Sequence, residues 1–173
     1  MMVETGYGYA SENFPNKTET IVDLMRLAIW KRNISKSIDY AKKLISKGYD
    51  VSMQLTRIEQ YSYDEFQQIV KEFSKIHPFA IYIVDTFGLL TKDELLAYAK
   101  IIDENADNEI AIGYHAHNNL QQAYCNAIAL IEHQWNHKLV VDASVMGIGR
   151  GAGNLCLELI ENYLHDSFGY EFS

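Results

Sequence analysis

The stretch at 109–120, EIAIGYHAHNNL, decides how the whole chain reads. Ile110, Ala111 and Ile112 form a short apolar run, the mark of a strand. In an extended strand residues i and i+2 share a face. His115 and His117 therefore project side by side, with Gly113 beneath them. Two neutral imidazoles so placed chelate a divalent metal well. The same pair could equally serve only to bond backbone groups near a strand end. Asn118 suits a helix N-cap, and Leu120, Ala123, Tyr124, Ala127, Ile128 and Ile131 follow at helical spacing. The histidines thus mark the place where a strand hands over to a helix.

The same pattern recurs along the chain. Strand starts are expected near 23, 51, 80, 110 and 139, an interval of about 29 residues. Residues 35–46 form a helix closed by Gly48. Ser62 with Glu65, and Thr91 with Glu94, are capping boxes that open two more, to about 76 and 103. A last helix is expected at 153–164, with Leu155, Leu159 and Tyr163 inward. Residues 80–85 are almost continuously apolar, as in a strand buried on both faces. Alternating strands and helices mean repeated βα units on a parallel sheet. No glycine-rich fingerprint follows the first strand, so the pattern points away from a doubly wound dinucleotide fold. The fold class is α/β: a partial TIM (β/α)8 barrel of five units, where a whole barrel takes about 250 residues. Residues 1–173 form one such domain, with a loop-like lead-in at 1–19 carrying Gly6, Gly8, Asn13 and Pro15, units at 20–164 and a tail at 165–173.

Composition narrows the partners. The 173 residues are 48% hydrophobic and 22% charged, with a net charge of -8, which argues against nucleic acid or an anionic membrane surface. No run is long and apolar enough to span a bilayer. Residues 1–10 lack the basic start and apolar core of a secretory leader, so a cytoplasmic location is expected. Cys125 and Cys156 fall at apolar helical positions and read as buried thiols rather than a disulfide.

The residues suited to chemistry all lie at C-terminal strand ends, where parallel barrels build their sites. Asp85 and Thr86 close the third expected strand, His115 and His117 the fourth, and Asp142 and Ser144 share a face of the fifth. The loop at 147–154, GIGRGAGN, permits either a tight turn or an anion at a helix N-terminus. Asp85 could be a structural acceptor. Arg26, in the middle of a strand, needs either a carboxylate inside the sheet or a ligand.

VDTFG at 84–88, HAHNNLQQAYCNAIALIE at 115–132 and VDASVMGIGRGAGN at 141–154, in that order, resemble the DRE-TIM metallolyases. That family includes 3-hydroxy-3-methylglutaryl-CoA lyase, the isopropylmalate and homocitrate synthases, and 4-hydroxy-2-oxovalerate aldolase. The loop at 147–154 is most similar to the aldolases and synthases. The resemblance covers 23–164 and implies strands 4 to 8 of a barrel. It also implies a divalent metal, Mn or Mg with Co or Zn as substitutes, that binds a small 2-oxo acid and stabilises its enolate. By that likeness His115, His117 and Asn154 are metal ligands, while Arg26, Asp85, Thr86 and Ser144 serve the substrate. The family's Arg-Asp pair, which supplies the third ligand, has no counterpart: no Arg-Asp dipeptide occurs in the chain. The resemblance therefore implies the metal-binding half of an aldolase or lyase, inactive alone. A synthase-like acyltransferase fragment, a non-catalytic protein that oligomerises or completes its barrel with a partner, and a structural zinc or anion site are the alternatives. Five strands leave two open edges, at Leu24, Leu27 and Ile29 and at Leu139, Val140 and Val141, so a homo-oligomer or a barrel-completing partner is expected.

Overall fold

The computed structural model describes residues 1–5 and 9–172. Six parallel strands form one sheet: β1 (Met2–Glu4), β2 (Leu24–Ile29), β3 (Asp50–Leu55), β4 (Ala80–Asp85), β5 (Ala111–Ala116) and β6 (Leu139–Asp142). Each strand lies beside its predecessor, in the order β1-β2-β3-β4-β5-β6. A doubly wound sheet reverses direction at a switch point; a barrel wall does not. Five helices connect or follow the strands: α1 (Ile34–Ser46), α2 (Tyr63–Ser74), α3 (Lys92–Asn105), α4 (Ala123–Glu132) and α5 (Leu157–Phe168).

Strand alternation sorts the side chains into two unlike faces. Leu27, Met53, Leu55, Ile81, Ile83, Ile112 and Tyr114 point toward the helices and join Leu44, Phe66, Phe73, Leu95, Ile102 and Leu130 in the main core. Truncating one of these large residues to Ala typically costs about 2–5 kcal/mol. The opposite face carries a much smaller apolar cluster, Ala80, Tyr82, Val84 and Ala111. Arg26, Ser52, Gln54, Gly113, His115 and Asp142 alternate onto that same face, which makes it polar toward its C-terminal end. A sheet with an apolar outside and a polar inside is built to hold chemistry on the inside.

Both expected capping boxes are present. The Ser62 hydroxyl accepts from Glu65 N at 3.2 Å, and the Thr91 hydroxyl accepts from Glu94 N at 3.3 Å. The strand interval is as read, but three boundaries differ. The lead-in is not all loop: β1 pairs with β2 in the register Met2↔Arg26, Val3↔Leu27 and Glu4↔Ala28. Only Val3 of its three residues is buried, which is too short a signal for any periodicity. The sheet therefore has six strands rather than five, and Leu27 and Ile29, expected at an open edge, are fully buried. Gly6 and Gly8 lie outside the described residues.

Helix α4 begins at Ala123, after a turn at 118–121, so Leu120 is exposed rather than on its apolar face. Asn118 is not the N-cap residue, yet its Oδ1 accepts from Ala123 N at 3.2 Å. Helix α5 begins at Leu157 and runs to Phe168, so the tail starts at Gly169. The later start follows from backbone bridges that tie Asn154 to His117 and Cys156 to Ser144, which hold 154–156 extended. With that phase Ile160 turns inward at 5% exposure, while Leu159 faces out at 49%. Cys125 is exposed and Cys156 half-buried in front of α5, both as free thiols; neither is a core residue. No helix among the described residues is long and apolar enough to cross a membrane.

Candidate functional site

The polar face carries one connected set of side chains. Asp142, at the end of β6, is its centre. Its Oδ2 pairs with the Arg26 guanidinium from β2 and lies 2.8 Å from His115 Nδ1 on β5. Its Oδ1 accepts from the Tyr82 hydroxyl at 3.2 Å. Arg26 also lies 5.4 Å from the centre of the Tyr82 ring. The Gln54 amide, with its oxygen toward Arg26, accepts from Nη2 at 2.9 Å and from Nε at 2.6 Å. Of the two partners weighed for Arg26, the carboxylate is the one it has. Burial works against ionisation of Asp142, but the His115 hydrogen bond and the Arg26 charge outweigh it and hold the carboxyl below its usual range. Burial, with the Asp142 charge beside it, pushes the Tyr82 hydroxyl up, so it stays a neutral donor.

His115 and His117 share the face as alternation requires, with ring centres 5.1 Å apart. Each ring is held by its Nδ1: His115 against Asp142, and His117 against the Asp85 carbonyl at 2.9 Å. An Nδ1–H donated to an acceptor fixes the tautomer and leaves Nε2 with its lone pair, the usual support of a metal-bound histidine. Asn154 is brought in by its backbone bridge to His117. Its Nδ2 donates to Ile148 O at 3.2 Å, while its Oδ1 is buried with no hydrogen-bond partner. Gly149 makes room for that amide, since a Cβ there would meet it at 2.7 Å. Two imidazole nitrogens and an amide oxygen form a donor set that suits a divalent ion but carries no charge. Among the described residues, no group of three or more His, Cys, Asp or Glu is placed to hold a metal.

The other predicted residues border this set. The Asp85 carboxylate is buried and accepts from Leu89 N at 2.9 Å and Leu90 N at 3.1 Å. Burial raises its pKa, and those two amides offset part of the rise. Thr86 Oγ1 accepts from Arg57 N at 2.7 Å. Ser144 Oγ donates to Ile148 O at 2.7 Å, across the glycine-rich loop. That loop closes on itself, with Asn154 N donating to Gly147 O and Gly153 N to Arg150 O, which is the tight-turn arrangement. Sequence reasoning missed Asp142 as the hub, and Tyr82 and Gln54 altogether. The signal was present: all three alternate onto the face that bears Arg26 and His115.

Comparison with known proteins identifies the family and the fold. The family model described as HMGL-like matches residues 3–167. Oxaloacetate decarboxylase of Mycobacterium tuberculosis is 26% identical over 139 residues, 80% of this chain and 40% of that protein. The 4-hydroxy-2-oxovalerate aldolase of Marinomonas sp. is 30% identical over 123 residues, 71% of this chain and 34% of that protein. Among solved structures, the N-terminal domain of a candidate aldolase from Bacteroides vulgatus superposes with a TM-score of 0.77 at 27% identity, over 99% of this chain and 56% of that one. The HMG-CoA lyase of Brucella melitensis gives 0.68 at 18% identity, over 86% and 60%, and supports the fold alone. The chain spans between a third and two-fifths of the length of these two curated relatives.

Proposed function

The chain belongs to the HMGL-like family, and from that footing we propose that it is the metal-binding segment of an enzyme that cleaves or forms a carbon–carbon bond beside a 2-oxo acid carbonyl. The activity proposed is of the kind carried out by a 4-hydroxy-2-oxovalerate aldolase. One observation carries the reading: His115 and His117 both have Nδ1 anchored and Nε2 free, next to an Asn154 Oδ1 that is buried without a partner. His115, His117 and Asn154 would hold the ion, manganese or magnesium, with cobalt or zinc as substitutes. A divalent ion there supplies a Lewis acid for a carbonyl oxygen.

The surrounding residues keep the donors in place. Asp142 orients His115, and Arg26 with Tyr82 fixes Asp142. Asp85 ties down the loop at 89–90 through its carboxylate, and Gly88 and His117 through its carbonyl. Thr86 and Ser144 shape the rim from which a 2-oxo acid would enter. The charged ligand that the family's Arg-Asp pair supplies would come from another segment or another chain, because the sequence has no Arg-Asp dipeptide. The exposed edge of β6 favours assembly, with a second copy or a partner that completes the barrel.

Metal content after dialysis against Mn²⁺, read by elemental analysis, tests the proposal. The parent chain should retain the ion and the His115→Ala/His117→Ala double variant should not. Equal content in the two would overturn it.

A further inference from the structure

Asn126 stands near the start of α4, and its side chain is fully buried. The other buried positions of that helix are Ala123, Ala127 and Leu130. An amide among them carries a desolvation cost that an apolar residue avoids. Hydrogen bonding offsets only part of it. Asn126 Nδ2 donates to Leu90 O at 2.8 Å, while Oδ1 is buried with no hydrogen-bond partner among the described residues. The amide also lies beside the hydroxyl of Tyr114, the residue before His115 on β5, and offsets part of the upward push that burial gives that group. A stranded buried oxygen costs at least what one made bond contributes. Stability alone therefore does not account for an asparagine here, and the bond to Leu90 is what distinguishes it.

From Leu90 the connection runs to His117. Leu90 N donates to Asp85 Oδ2 at 3.1 Å, and Leu89 N donates to Oδ1 at 2.9 Å. The carbonyl of the same Asp85 accepts from Gly88 N at 3.2 Å and lies 2.9 Å from His117 Nδ1. A carbonyl can only accept, so this contact holds the ring with its proton on Nδ1. The turn also rests on the segment that bears the histidine. Leu120 N donates to Gly88 O at 3.2 Å, and a Cβ on Gly88 would meet both His117 O and Asn119 N at 2.6 Å. Asn126 fastens this turn to the helix layer. His115 is anchored differently: its Nδ1 faces the Asp142 carboxylate on β6, outside this connection. Loss of the Asn126 bond should therefore reach one histidine and spare the other.

We infer that Asn126 is a positioning residue for His117: through Leu90 it fixes the turn whose Asp85 carbonyl sets the tautomer and direction of that ring. The inference rests on the proposed function only for the metal that His117 would then hold. Proton–nitrogen NMR correlation of the imidazoles in the whole chain, without metal and above the ordinary imidazole pKa of about 6.5, reads the tautomer of each ring. In the parent both His115 and His117 should carry the proton on Nδ1. Asn126→Leu, which keeps the branching and removes the donor, should leave His115 unchanged and turn His117 into a mixture of tautomers. Asn126→Ala removes the donor without added bulk and serves where the leucine variant does not fold. Manganese affinity, read by competition with a chelating dye, should fall on the order of ten-fold in either variant. A purely structural role predicts that both rings respond alike. His117 unchanged in a folded variant, both rings disturbed together, or a parent whose His117 does not carry its proton on Nδ1 would overturn the inference. The expected tautomer shift with unaltered manganese affinity, or with no manganese uptake even by the parent, would uphold it and remove the metal reading alone.

Discussion

Gly113 leaves the space that the Tyr82 ring fills: a Cβ at Gly113 would sit 2.2 Å from Tyr82 Cδ2. The two residues are register partners on β5 and β4. The ring crosses above the glycine, and its hydroxyl reaches Asp142, the residue that orients His115. A methyl group at Gly113 would therefore act on the site through two intermediaries. Gly113→Ala should destabilise the fold by about 1–3 kcal/mol, the usual range for overpacking. Urea unfolding would show it, and the cost should shrink when Tyr82→Ala is made in the same chain. A Gly113→Ala variant with the parent's unfolding midpoint would show that the ring has somewhere else to go.

Asp142 holds a charge between Arg26 and His115, and its carboxyl is kept below the usual range despite burial. Asp142→Asn removes the charge that balances Arg26 and weakens the acceptor that fixes the His115 tautomer. Breaking a partly buried pair this way should cost about 2–4 kcal/mol of stability. Manganese affinity should fall by about 10- to 100-fold, as when a supporting carboxylate is lost behind a metal-bound histidine. Competition with a chelating dye measures the second effect independently of the first. Unchanged metal affinity in a folded variant would mean that His115 does not depend on Asp142 for its orientation.

Much of this was legible in the residues, and the reasons are local. The interval of strand starts, the two capping boxes and the His-X-His spacing each depend on a few adjacent positions, so the sequence states them directly. β1 was not legible because three residues with one buried side chain, Val3, carry no period. The start of α5 was not legible because it depends on bridges from Asn154 to His117 and from Cys156 to Ser144, which are contacts between distant segments. Asp142 shows the same limit within the site. Its placement on the inner face follows from alternation, but its choice of both Arg26 and His115 needs β2 and β5 to stand on the same sheet at matching heights.

Activity gives a further prediction. The sequence has no Arg-Asp dipeptide, and the two imidazoles and one amide of the proposed centre bring no negative charge to the ion. Such a set should bind metal more weakly than one with a carboxylate. The 173-residue chain on its own should release no pyruvate from 4-hydroxy-2-oxovalerate above background. A coupled lactate dehydrogenase assay measures this. Steady release that stops on adding a chelator would show that the chain contains a complete catalytic set.

Association should depend on β6. The short β1 blunts one end of the sheet, so the edge once expected at β2 is covered. β6 pairs only with β5 among the described residues, and all four of its residues are half-buried rather than buried. Beside it lies a groove of about 780 Å³, lined by Leu139, Val141, Leu164, Phe168, Tyr170 and Phe172 among others. Unpaired backbone groups next to exposed apolar side chains favour pairing with another strand, and a two-fold pair is the commonest closed arrangement. The chain should sediment as a dimer or larger species at tens of micromolar. Val141→Lys places a charge in the groove beside the edge strand, where a partner would bury it, and should shift the equilibrium toward monomer. A monomeric parent with cooperative unfolding at the same concentration would mean that the aromatic residues from the end of α5 onward cover the edge well enough by themselves; removing 168–172 should then produce the association that the parent lacks.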